Sequence, residues 1–79
     1  MVLSQSERRT KLKKLADIEG YGEVMDMLAE ATMDSVSSGI CINPRCDYTV
    51  EVEPDQDQGY CESCGTQTVH SALILAGLV

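Results

Sequence analysis

Two close pairs of cysteines, apolar residues at helical spacing over the first third, and an alternating run after the first pair predict a small metal-stabilised α+β fold. The expected order is two short N-terminal helices, a three-stranded ribbon carrying the metal, and a short apolar C-terminal segment. The expected boundary separates a helical arm at residues 1–39 from the ribbon and its tail at 40–79. With 79 residues, no Phe, no Trp and three Tyr, the apolar interior is marginal. Folds of this size recruit a metal, disulfides or a second subunit.

The first helix is expected over residues 4–19. Ser4 and Glu7 have the spacing of a capping box, and Leu12, Leu15, Ala16 and Ile18 supply an apolar stripe. Arg8, Arg9, Lys11 and Lys14 are expected on a solvated face, helped by the pairs Glu7–Lys11 and Lys14–Asp17. Gly20 and Gly22 stop this helix and allow a restart. The second helix is expected from about Glu23 to Met33. Val24, Met27, Leu28 and Ala31 form one face there, and Met25 and Met33 widen it. Its acids and lack of bases are wrong for a helix that reads DNA.

Residues 34–39 are expected as a polar connector. Tyr48, Val50 and Val52 alternate with Thr49, Glu51 and Glu53, a period-two strand. Residues 54–59 turn the chain, and Tyr60 leads a return strand into Cys61, so this segment reads as a β-hairpin. A third strand is expected over Thr66 to Val69. Ser71 can cap a final helix through residues 72–77, and the same residues can extend the third strand; periodicity leaves both readings open.

The chemistry lies in Cys41-Ile-Asn-Pro-Arg-Cys46 and Cys61-Glu-Ser-Cys64-Gly65. A short cysteine-bounded turn presents two sulfurs to one ion about 2.3 Å away, and two such turns complete a tetrahedron. The expected metal ligands are Cys41, Cys46, Cys61 and Cys64. Gly65 relaxes the backbone after the second pair, Pro44 stiffens the longer first loop, and Asp47 stands where a left-handed residue is expected. Four thiolates close the coordination sphere, whereas hydrolytic zinc needs an open position. His70, the one histidine, is expected on a surface or sheet edge and outside the ligand set. No nucleophile–base pair can be assembled, so no catalytic residue is assigned and the chain is not expected to be an enzyme. The start of the chain has no signal-like apolar run, and residues 72–79 fall far short of the ~20 needed to span a membrane. A cytoplasmic location and reduced thiols holding metal follow as expectations.

These residues resemble the zinc-ribbon (rubredoxin-like) superfamily over about residues 40–70. The whole chain is similar to small ribbon proteins of bacteria and phages. The resemblance implies a structural Zn2+ between two knuckles on a three-stranded sheet, and no activity. Rubredoxins are the rival resemblance, implying iron and electron transfer, but Cys61-Glu-Ser-Cys64 lacks their proline and aromatic residues are few. Iron remains a substitute for zinc at four thiolates.

Charge divides the chain. Residues 1–16 carry five cations against Glu7, while residues 17–79 carry Arg45 against twelve acids, within a net charge of −7. An acidic ribbon repels phosphate backbones. The first expectation is therefore a protein-interaction module, an adaptor or regulator whose docking surface is the apolar tail, with a homodimer through that tail as one form. The other reading of the tail is packing on the two helices of its own chain. The alternatives are nucleic-acid binding through the basic first helix and Arg45, or imitation of DNA by Glu51, Glu53, Asp55 and Asp57. No membrane partner is expected.

Overall fold

Ser4 opens the first helix: its hydroxyl accepts the Glu7 N–H at 3.2 Å, and the Glu7 carboxylate accepts the Ser4 N–H at 3.1 Å. This reciprocal cap starts α1 (Gln5–Glu19), and Gly20 ends it at φ 84°, a left-handed conformation that glycine adopts without strain. The computed structural model describes residues 4–33 and 35–78; Asp34 of the expected connector and Val79 of the expected tail lie outside them. Helix α2 (Val24–Met33) follows.

Leu12, Leu15 and Ala16 of α1 and Met27, Leu28 and Ala31 of α2 are buried, as their spacing predicts. Ile18, Met25 and Met33 were expected to extend those stripes and do not: they are 52%, 70% and 88% exposed. Each lies roughly 110° or more around its helix from the centre of the buried stripe, too far to reach the same neighbour.

The sheet corrects two expectations. Strands β1 (Ser37–Cys41), β2 (Thr49–Val52), β3 (Gly59–Cys61) and β4 (Thr66–Ser71) form one antiparallel sheet in the order β2-β1-β4-β3. The sheet therefore has four strands, and the segment expected as a connector supplies an inner one. Ser37 pairs with Val52 and Ile40 with Thr49 on one side, and Gly39 pairs with Ser71 and Cys41 with Val69 on the other. The expected hairpin between the Tyr48 run and Tyr60 does not form. Its two strands lie at opposite edges, each hydrogen-bonded to a strand between them.

Small residues make this arrangement work. A Cβ at Gly39 would fall 2.8 Å from Val52 Cγ2 and 2.9 Å from Val69 Cγ1, so only glycine lets those two valines close over β1. A Cβ at Gly59 would likewise meet Val69 at 3.0 Å and Val52 at 3.3 Å. Val52 of one edge strand and the bare backbone of Gly59 on the other thus meet beside Val69, and the sheet curls.

The tail is helical. Ser71 Oγ accepts the Ile74 N–H at 3.1 Å and donates to the Pro54 carbonyl at 2.5 Å, which starts α3 (Ala72–Leu75). Ala72, Leu73 and Leu75 are buried in one cluster with the α1 and α2 stripes and with Ile40 and Ile42. Cys41, between those isoleucines, belongs to a second cluster with Cys46, Cys61 and Val69. Consecutive side chains of this segment point to opposite sides, so one wall of the sheet serves the helices and the other the sulfurs.

Candidate metal centre

The second knuckle follows β3 and turns on local backbone alone. The Cys64 N–H donates to Cys61 Sγ at 3.2 Å, the Gly65 N–H donates to the Cys61 carbonyl at 2.7 Å, and Gly65 takes φ 71°. The first knuckle leaves the end of β1, where the Cys41 N–H donates to the Tyr48 carbonyl at 2.9 Å and the Cys46 N–H to the Asn43 carbonyl at 3.0 Å. Pairing of β1 with β4, and of β4 with β3, then brings the knuckles together.

All four sulfurs, from Cys41, Cys46, Cys61 and Cys64, lie within 4.8 Å of one another. Across the knuckles, Cys41 Sγ is 3.8 Å from Cys64 Sγ and Cys46 Sγ is 3.7 Å from Cys61 Sγ. These are free cysteines, and the separations are far beyond the ~2.05 Å of a disulfide. They match the ~3.8 Å edge of a tetrahedron built on ~2.3 Å metal–sulfur bonds. The cluster is geometrically able to chelate a divalent metal such as zinc, or iron in either common state.

Donors surround the sulfurs. Thr68 Oγ1 lies 3.1 Å from Cys41 Sγ and 3.1 Å from Thr66 Oγ1. Asn43 Nδ2 donates to Cys64 Sγ at 3.6 Å. Hydrogen bonding from the Tyr48 backbone pulls the Cys46 thiol down to about 7, against burial. Burial pushes the Cys61 thiol up, opposed by the Cys64 backbone. Hydrogen bonding with Cys46, followed by burial, pushes Cys64 up to about 12. Crowded sulfurs therefore hold protons until a cation replaces them, and binding is linked to proton release.

Three side chains near the site depart from expectation. Lys11 is not on the solvated face of α1; it is 4% exposed, and its Nζ donates to the Asn43 and Cys46 carbonyls. Lys14 reaches Asp47 at 3.3 Å instead of Asp17. Asp47 is not left-handed, since every positive φ among the described residues belongs to glycine; its carboxylate faces the two lysines. Sequence reasoning missed Lys11, Asn43 and Thr68. Lys11 alone had a usable signal, standing four residues before Leu15 and so on the apolar stripe itself.

His70 lies outside the sulfur cluster. It sits on an inner strand opposite Ile40 instead of at a sheet edge. Its Nδ1 is buried without a hydrogen-bond partner, and burial lowers its pKa, opposed chiefly by Asp57. Among the described residues no nucleophile–base constellation is found. No described helix is long and apolar enough to cross a membrane. Compared with protein-family models, with curated proteins and with solved structures, the chain finds no match.

Proposed function

We propose that the chain is a non-enzymatic zinc-binding module, in which Cys41, Cys46, Cys61 and Cys64 hold one structural Zn2+ and the stiffened domain docks on another protein. The observation that carries this reading is the four-sulfur cluster with its 3.7 and 3.8 Å edges. A closed thiolate site serves structure better than chemistry. Such a site supplies about 10–16 kcal/mol of apparent binding free energy at neutral pH, more than this small interior can offer. Iron fits the same donors and stands as a substitute.

The docking surface is the flank of α2 beside the chain after α3. Met25, Leu28, Ala29, Thr32, Ala76 and Leu78 line a shallow apolar hollow there. Burial of Ala72, Leu73 and Leu75 supports the reading of the tail as internal packing, which leaves exposed Leu78 for a partner or a second copy. The nucleic-acid reading loses two of its cations, since Lys11 is buried and Lys14 is engaged with Asp47. Glu51, Glu53, Asp55 and Asp57 are exposed, but such a run along an edge strand serves first to keep that edge from pairing.

Elemental analysis of the purified protein, with thiol counts before and after chelation, tests the metal reading. One zinc per chain is expected, with thiols that become reactive only after chelation. Metal-free protein that keeps its fold in strong chelator refutes it. Cys61→Ser is expected to lose both the metal and the ribbon. Capture from a host extract separates docking from DNA imitation by whether the partner itself binds DNA.

A further inference from the structure

The two knuckles are completed by different means. Cys61–Gly65 closes on itself through a left-handed glycine and its own N–H groups. The Cys41–Cys46 loop has four residues between its cysteines and no glycine. Two of its carbonyls, those of Asn43 and Cys46, converge on one point outside the loop. Lys11 Nζ, carried by α1, occupies that point at 2.7 Å from Asn43 O and 2.5 Å from Cys46 O. Asp47 stands 3.6 Å away as its charge partner.

Asn43 extends the connection. Its carbonyl also accepts the Cys46 N–H, its Oδ1 accepts the Arg45 N–H at 3.1 Å, and its Nδ2 donates to Cys64 Sγ at 3.6 Å. One ammonium thus ties α1 to the carbonyl of one cysteine and, through Asn43, to the sulfur of the opposite knuckle. A lysine that only packed its stem would keep its head in water. Here two carbonyls accept the ammonium's N–H groups and a carboxylate stands beside its charge, so the buried cation is both hydrogen-bonded and paired.

We propose that Lys11 is a positioning residue for the metal centre: from α1 it holds the open first knuckle in the shape that presents Cys46 and aims Asn43 at Cys64. It does at a distance what Gly65 does locally in the second knuckle. The assignment rests on the reading of the four cysteines as metal ligands.

The test uses the full chain loaded with Co2+, whose absorption bands report coordination, in competition with a chromophoric chelator. Lys11→Met keeps the stem and removes the donors. It is expected to weaken cobalt binding about 10–100-fold and, at saturating cobalt, to shift and broaden the bands. Leu15→Ala loosens the same helix without touching the knuckle. Its unfolding midpoint should fall while its bands at saturation keep wild-type positions. Unchanged bands and affinity in Lys11→Met, or the same band change in both variants, overturn the assignment. Should Lys11→Met not fold, the wild-type protein decides. Its Lys11 ammonium protons are expected to exchange slowly enough for a nitrogen-resolved NMR signal, unlike those of exposed Lys13, and equal exchange overturns the assignment. Wild-type protein that takes up no cobalt overturns the metal reading as well, whereas cobalt held equally by wild type and Lys11→Met overturns the role of Lys11 alone.

Discussion

The hydroxyl of Thr68 lies 3.1 Å from Cys41 Sγ, delivered by β4, the strand that pairs with β1 at that cysteine. A donor on a metal-bound thiolate removes part of its charge and fixes its direction. Thr68→Val keeps the shape and deletes the donor. Its metal affinity is expected to fall about tenfold, as measured by chelator competition, with the fold retained. An unchanged affinity would show that the hydroxyl bonds only to Thr66.

Gly39→Ala should destabilise the fold without affecting any ligand. The added methyl meets Val52 and Val69 at under 3 Å, and neither branched side chain can yield without moving its strand. A loss of about 1–3 kcal/mol is expected, read by chemical denaturation at saturating metal. Wild-type stability would mean that the sheet opens more easily than its packing implies.

Acid should strip the metal steeply. Cys64, at about 12, and Cys61, raised above 9, keep their protons at neutral pH, so the ion must displace both. Below about 7, Cys46 adds a further proton. Protons compete harder as pH falls, and the apparent affinity is expected to drop by at least about two decades per pH unit above pH 7 and more steeply below it. Chelator competition across pH measures the slope; less than one decade per unit would mean that the thiols are already ionised.

His70 contributes a separate acid sensitivity. Burial holds its folded pKa below the ordinary 6.5, so the unfolded chain binds the proton more readily. Stability is therefore full above about pH 6.5 and declines as pH falls through the lower folded value. His70→Gln should flatten this decline between pH 7.5 and 5.5 in thermal unfolding, relative to wild type, with unchanged zinc content at neutral pH. A variant that loses zinc there would place His70 at the metal.

What could be read from residues alone was the local part. The Ser4–Glu7 cap, the Gly20 stop, the stripes through Leu15 and Leu28, and the paired cysteines each act within a few positions. The inner strand was hidden because Ser37, Ser38 and Gly39 have the composition of a linker. They become a strand only by pairing, Ser37 and Ser38 with β2 and Gly39 with both β2 and β4, and Gly39, a buried glycine beneath two valines, looks like a turn residue when read alone. The hairpin reading failed for the same reason, since adjacency along the chain does not reveal that β1 lies between β2 and β4. Lys11 was misread because a cation on a helix is ordinarily solvated, and its acceptors lie more than thirty residues away.

The alternation at Ile40, Cys41 and Ile42 sets what this stretch can tolerate over generations. Dropping or adding a single residue just before Cys41 would turn the isoleucines toward the sulfur cluster and plunge the Cys41 sulfur into oil, since a slip of one reverses every side chain. The turn at 53–58 is tied to Ser71 through the Pro54 and Gln56 carbonyls, which leaves its exposed end at Asp57 and Gln58 to lengthen or shorten. Drift in related chains should therefore vary the turn and leave the spacing around Cys41 untouched.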